Sequence, residues 1–162
     1  MVLQIIWILL GILGLGGALA LMLWPRWVAA VPAYLGMVCW HLSYYIMVPG
    51  RTFLFWGIAT LLVTGLYYLS PQGEPDGRRT GNLYIAATAI AGGLLGILFS
   101  PRYMVLGVVI GALMGELAYS RTPHGKWLMG SAGTFFNYAA VKCLPVIVAV
   151  SIVCITIEGF VF

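Results

Sequence analysis

Charge is what this chain has least of. Eight Lys and Arg and four Asp and Glu make up 7% of its 162 residues, against 62% hydrophobic ones, and the mean hydropathy is +1.04. A water-soluble domain devotes about 25% of its residues to charge. So little polar surface cannot coat a soluble globule, which leaves lipid as the solvent for most of the chain. Four acids are too few to assemble a general acid–base pair with ease. No P-loop, G-x-S-x-G or H-E-x-x-H run occurs, and no acid-rich cation cage. The expectation is therefore a protein that is not an enzyme and needs no metal or cofactor. The basic residues are spread singly, whereas a nucleic-acid binder gathers them on one face. The three cysteines, Cys39, Cys143 and Cys154, lie in apolar runs without C-x-x-C spacing. That pattern excludes a disulfide framework and a zinc site and reads as small buried hydrophobes. Also missing is any Lys or Arg ahead of the first apolar run. A cleavable signal peptide normally has such a basic start, so the run reads as a retained first span.

What is present divides into apolar spans separated by turn residues, all within one domain. Val2–Leu23 is the first, followed by the turn Trp24-Pro25-Arg26-Trp27. Val28–Val48 is the second, ended by Pro49-Gly50-Arg51. Thr52–Leu69 is the third. Residues Ser70–Gly81 form a polar loop rich in Pro and Gly, unable to cross a bilayer. Asn82–Phe99 and Tyr103–Tyr119 follow, joined by Ser100-Pro101-Arg102, and Ser120–Lys126 links to the last segment, Trp127–Phe162. As a single helix that segment would be roughly 54 Å long at about 1.5 Å per residue. It exceeds a simple crossing, so it is a bent helix, a helix whose first part lies at the interface, or two segments; one long helix kinked or broken at Pro145 is the favoured expectation. The expected fold is all-α and transmembrane, with about six helices. Trp24, Trp27, Tyr67, Tyr68, Tyr103, Tyr119 and Trp127 mark the span boundaries as an aromatic belt. Arg26, Arg78, Arg79, Arg121 and Lys126 fall in the turns after spans one, three and five, and Arg51 and Arg102 in the others. The positive-inside rule then places both termini outside the cytoplasm.

An internal repeat runs through this pattern. Leu15-Gly16-Gly17 through Pro25-Arg26-Trp27 aligns on Ala91-Gly92-Gly93 through Pro101-Arg102-Tyr103, with an offset of 76 from Pro25 to Pro101. Gly57 falls on Gly133 at the same offset. With three spans in each half, residues 1–69 and 77–145 would enter the membrane from opposite sides, as glycine-rich hairpins plus third helices, leaving 146–162 as an extension. Such inverted repeats build many secondary transporters.

Small residues recur every four positions: Gly107, Gly111 and Gly115 on span five, Thr88, Gly92 and Gly96 on span four. Such stripes let helix backbones approach closely in lipid. Packing within the chain, a homodimer seam and a substrate path all remain open. Charges inside spans are costly and point to function. Glu116, near the end of span five, opposes the helix dipole and calls for a cationic partner such as Arg121 or Lys126; a proton or cation ligand is the other reading. Lys142 in the last segment either snorkels to the interface or is a functional charge. Asn137 is placed to hydrogen-bond between helices. His41 reads as a boundary residue. Arg26 and Arg102, in matching turns, read as lipid-phosphate contacts.

The run GGLLGILFSPRYMVLGVVIGALMGELAYSR, with GSAGTFFNYAAVKCLPVIVAV after it, resembles the small bacterial membrane proteins grouped as domain of unknown function 456. Gly107, Gly111, Gly115, Glu116 and Lys142 stand on that family's pattern. Pro101-Arg102 replaces the Gly-Pro the family often shows at the hairpin tip, which weakens a general phosphate role for Arg102. The resemblance implies a bacterial inner-membrane protein and supplies no activity. Two functions stay open: a transporter or lipid-handling translocator of phospholipid or isoprenoid phosphate, and a scaffold or accessory subunit docking through its glycine faces. Membrane lipids and a second copy are the expected partners, nucleic acid is not.

Overall fold

The computed structural model describes residues 2–23, 28–69 and 80–161, and every regular element among them is helical. The order is α1 (Val2–Met22), α2 (Ala30–Leu42), α3 (Gly50–Leu69), α4 (Thr80–Phe99) and α5 (Pro101–Ser120), then a 3₁₀ turn (Lys126–Gly130), α6 (Ala132–Tyr138), a π turn (Ala139–Cys143) and α7 (Leu144–Val161). The last three run on without a break, so the described chain forms six helical rods. Four stretches are long and apolar enough to cross a membrane: Val2–Met22, Gly50–Leu69, Tyr103–Ser120 and Ala132–Gly159. Ala30–Leu42 and Leu83–Phe99 are apolar but shorter.

The bundle is built around α7. It touches α1, α2, α3, α4 and α5, and Val146, Ala149, Val150, Ile152 and Val153 are buried on successive faces of it. The outer rods are one-sided. On α1 the buried residues are Gly11, Ala18 and Met22, while Leu3, Leu9 and Leu13 stand exposed, as do Leu54, Phe55 and Leu61 on α3. Apolar side chains covering the outside this widely would aggregate in water; they suit a hydrocarbon solvent.

The α4–α5 hairpin turns in a single residue. Pro101 takes the first helical position of α5, where its missing N–H costs nothing and its fixed φ is already helical. A residue before proline is pushed out of the helical region, and Ser100 has φ −175° and ψ 151°. Its N–H closes α4 on the Gly96 carbonyl at 3.1 Å, and its carbonyl opens α5 by accepting from the Tyr103 N–H at 2.9 Å. Below this turn the two helices lie backbone on backbone. A Cβ on Gly92 would strike the Gly107 carbonyl, one on Gly107 the Gly92 carbonyl, and one on Gly111 the Thr88 carbonyl. On Gly96 it would meet Met104 Cα at 2.7 Å, and on Gly115 Ile85 Cα at 2.9 Å.

Three expectations need correction. The second helix ends at Leu42, six residues before Val48. Ser43 Oγ donates to the Trp40 carbonyl at 2.6 Å, and Tyr44 adopts φ 62°, a left-handed conformation that turns the chain out of the helix. Nothing in the hydropathy marks that stop. The segment from residue 127 is not one helix kinked at Pro145. A 3₁₀ turn comes first, and Ser131 then breaks the chain in extended conformation and caps α6, its Oγ accepting from the Thr134 N–H at 3.1 Å. Pro145 is absorbed upstream: the Leu144 N–H bonds the Ala139 carbonyl, five residues back. This π step re-registers the helix just before a residue that can donate no backbone bond. Lastly, Tyr67 and Tyr119 are no belt residues, being buried to 4% and 2% exposure; Tyr68 and Tyr103 are exposed. The turn 24–27 and residues 70–79 lie outside the described residues.

Candidate functional site

Glu116 lies in the penultimate turn of α5, roughly 6 Å from the helix end at about 1.5 Å per residue, yet it is fully buried. The glycine seam puts it there. With no side chain at Gly111 and Gly115, α5 lies flush on α4, and the next face of α5 is driven against the π turn. There the Cys143 Sγ donates to Glu116 Oε2 at 3.1 Å. Oε1 is equally buried and has no hydrogen-bond partner among the described residues. A buried polar atom without a partner is rare in folded proteins, and a carboxyl oxygen in that state within an apolar segment is a strong pointer to function.

The expected cationic partners are elsewhere. Arg121 and Lys126 are exposed, because Arg121 already lies beyond the end of α5 and Lys126 opens the 3₁₀ turn. Gly125 lets that turn fold under α5, since a Cβ there would strike the Tyr119 carbonyl, and Leu128 plugs the space fully buried. One turn below Glu116, Tyr119 stacks on Tyr138 with ring centres 6.2 Å apart and planes at 21°. Tyr84 of α4 approaches the other way, at 6.1 Å.

Lys142 precedes Cys143 on the same π turn and faces α3. It is half-buried, and its Nζ sits 5.9 Å from the centre of the Tyr67 ring, within cation–π range. The π turn thus presents two consecutive side chains to two different helices, Cys143 to α5 and Lys142 to α3. Asn137 is exposed on α6 and belongs to neither contact. His41 is a turn element: its Nδ1 accepts from the Val48 N–H at 3.3 Å and its ring lies 5.1 Å from that of Phe53. Arg26 and the side chain of Arg102 lie outside the described residues. Gly92, Gly96, Gly107, Gly111 and Gly115 meet partners within this one chain.

The sequence pattern does not single out Cys143, which reads there as a small hydrophobe. Its partner is 27 positions away, and the π turn that aims it leaves no mark in an apolar sequence. The one usable signal is Pro145, whose accommodation requires irregular backbone nearby.

Cavities lie elsewhere among the described residues. One is a groove of about 800 Å³ on the outer side of the α4–α5 seam, lined by Leu95, Phe99, Tyr103, Leu106 and Ile110 among others. Another, of about 360 Å³, lies between the 46–52 segment and the end of α7, with Glu158 at its wall. No group of three or more His, Cys, Asp or Glu suited to a metal occurs among the described residues. Compared with family models, with curated proteins and with solved structures, the chain matches none.

Proposed function

We propose that this chain is a multi-pass protein of a bacterial inner membrane and acts as a small transporter whose working contact is Glu116 against the π turn. The observation that carries the reading is a fully buried carboxyl in an apolar helix, with one oxygen bare among the described residues and the other held by an irregular turn. π turns inside long helices are frequent at functional positions, because the extra residue can migrate along the helix. The α4–α5 hairpin, locked through backbone contacts, is the rigid block. The rod formed by α6, the π turn and α7 is the element that can change register against it.

The cargo class proposed is a phosphate-bearing lipid, phospholipid or isoprenoid phosphate, on the strength of the paired Pro-Arg-aromatic turns. The inverted repeat belongs to the same proposal. Each half opens with a hairpin in close glycine contact, Gly14 on Gly36 in one and Gly92 on Gly107 in the other. Tyr67 and Cys143 stand 76 positions apart, the offset of the two matching turns, and Lys142 lies over Tyr67. The residue next to Cys143 thus reaches the position in the first half that Cys143 matches. Membership of the domain of unknown function 456 family is likewise proposed, supported by Gly107, Gly111, Gly115, Glu116 and Lys142.

A second reading, a scaffold or accessory subunit, is favoured by the apolar groove along α4–α5. The two separate in liposomes. Purified chain is reconstituted and assayed for ion flux and lipid scrambling, beside Glu116→Gln and Lys142→Met. Transport predicts activity that Glu116→Gln lowers at least tenfold. Activity unchanged in both variants ends the charge-based mechanism, and no activity in any of the three leaves the scaffold.

A further inference from the structure

We infer that the species bound and released at Glu116 is the proton, with Cys143 as the partner that holds the carboxyl in both of its charge states. This deepens the transport reading and rests on it for its purpose, though not for its chemistry.

The argument begins with the partner. Lys and Arg can only donate hydrogen bonds, so either would fix a carboxylate in its charged form. A thiol is a weak donor through S–H and a weak acceptor through sulfur. Against an ionised Glu116 the Cys143 S–H donates to Oε2, as the structure shows at 3.1 Å. Against a protonated Glu116 the roles reverse: the carboxyl O–H donates to Sγ, and the pair stays together. Oε1, buried and without a described partner, is the second place for the proton. No bond between heavy atoms forms or breaks; the proton enters from one aqueous side and leaves to the other.

The ligand set speaks against other cations. Magnesium and calcium take about six to eight oxygen ligands. Two hydroxyls of α4 and α5 are committed to backbone, Ser120 Oγ to the Leu117 carbonyl at 2.8 Å and Thr88 Oγ1 to the Tyr84 carbonyl at 2.7 Å. Softer metals favour several Cys and His ligands, and the described residues hold no such group. Cys143 is the titratable side chain in contact with the carboxyl; the elements packed here also carry Lys142, which faces Tyr67 of α3, and Tyr138, Tyr84 and Tyr119, which group one turn below. On α7, Cys154 lies against Gly93. Arg121 and Lys126 are exposed. A proton needs a single acceptor oxygen, and Oε1 is one.

The test is covalent labelling of the full chain in phosphatidylcholine vesicles with dicyclohexylcarbodiimide, which reacts with protonated carboxyls in apolar surroundings. Adducts are located by mass spectrometry. The expected result is an adduct on Glu116, absent in Glu116→Gln, that diminishes as pH rises and is indifferent to added sodium, magnesium or zinc. Cys143→Ser keeps a group that donates and accepts, and should keep the titration. Cys143→Val removes it and should displace the midpoint by about one pH unit. Protection by any of the cations, labelling independent of pH, or no adduct at any pH overturns the proposal. Labelling as expected in a chain without flux leaves the proton site standing and removes the transport reading. Flux that depends on Glu116 without such labelling does the opposite.

Discussion

The two helical hairpins of this protein are rich in glycine and apolar throughout, yet they pack differently. In α4–α5 the glycines form an unbroken seam, and backbone meets backbone from Gly96 to Gly115. In α1–α2 the backbones meet only around Gly14 and Gly36, where a Cβ on Gly14 would lie 2.7 Å from Gly36 Cα. One turn further on, the contact passes to a side chain: Gly11 receives the Trp40 ring, 2.7 Å from its would-be Cβ. Gly16 and Gly17, which align on Gly92 and Gly93, have nothing within 4 Å. A glycine therefore permits close approach without enforcing it. What decides is whether the facing helix offers a small residue at the same height. Span five does so at every fourth position, while α2 offers Trp40 and stops at Leu42.

That contrast can be broken from its strong end. Gly107→Leu should be the most damaging substitution: its side chain would enter the Gly92 carbonyl, and overpacking of this kind costs about 3 kcal/mol or more. The check is denaturant unfolding in detergent, with loss of the folded species expected. Gly92→Ala comes next, at about 2–3 kcal/mol, since the obstacle is again backbone. Gly11→Ala should cost only about 1 kcal/mol, because the Trp40 ring can give way where a carbonyl cannot. Smallest of all, Gly16→Ala and Gly17→Ala should be neutral or stabilising by up to about 1 kcal/mol, through better helix propensity in open space. If Gly16→Ala destabilises as much as Gly92→Ala, the two hairpins are alike after all and the structural contrast is wrong. A separate probe sharpens the role of the π turn. Pro145→Ala should let the helix regularise, turn Cys143 away from Glu116 and raise its labelling by maleimide, with Cys39 as the internal reference.

The apolar rods were readable because hydrocarbon demands long uninterrupted runs and tolerates Pro and Gly mainly between them; α1, α3 and α5 fall within a few residues of their expected bounds. The end of α2 was not readable. Ser43-Tyr44-Tyr45 is as compatible with a span as with a turn, and only the Tyr44 backbone reveals the difference. Glu116 stood out in the sequence because a charge in an apolar run is conspicuous on its own. Cys143 did not, since its significance depends on an irregular turn aiming it across to another helix. Tyr67 and Tyr119 were misread because aromatic residues near span ends serve an interface and a buried stack equally well, and hydropathy does not distinguish the two.

The placement of α7 has a bearing on biogenesis. The stretch Ala132–Gly159 is as apolar as the first helix, yet 67% of an 18-residue apolar window in it is enclosed by protein, against 17% of the corresponding window in Val2–Met22. In the proposed bilayer, its greasiness serves entry rather than residence. Its hydropathy suffices for it to partition into a membrane, where its neighbours would then displace the surrounding acyl chains as they close in. A rod synthesised after the other five becomes the post around which they gather, so their assembly waits for residues 132–161.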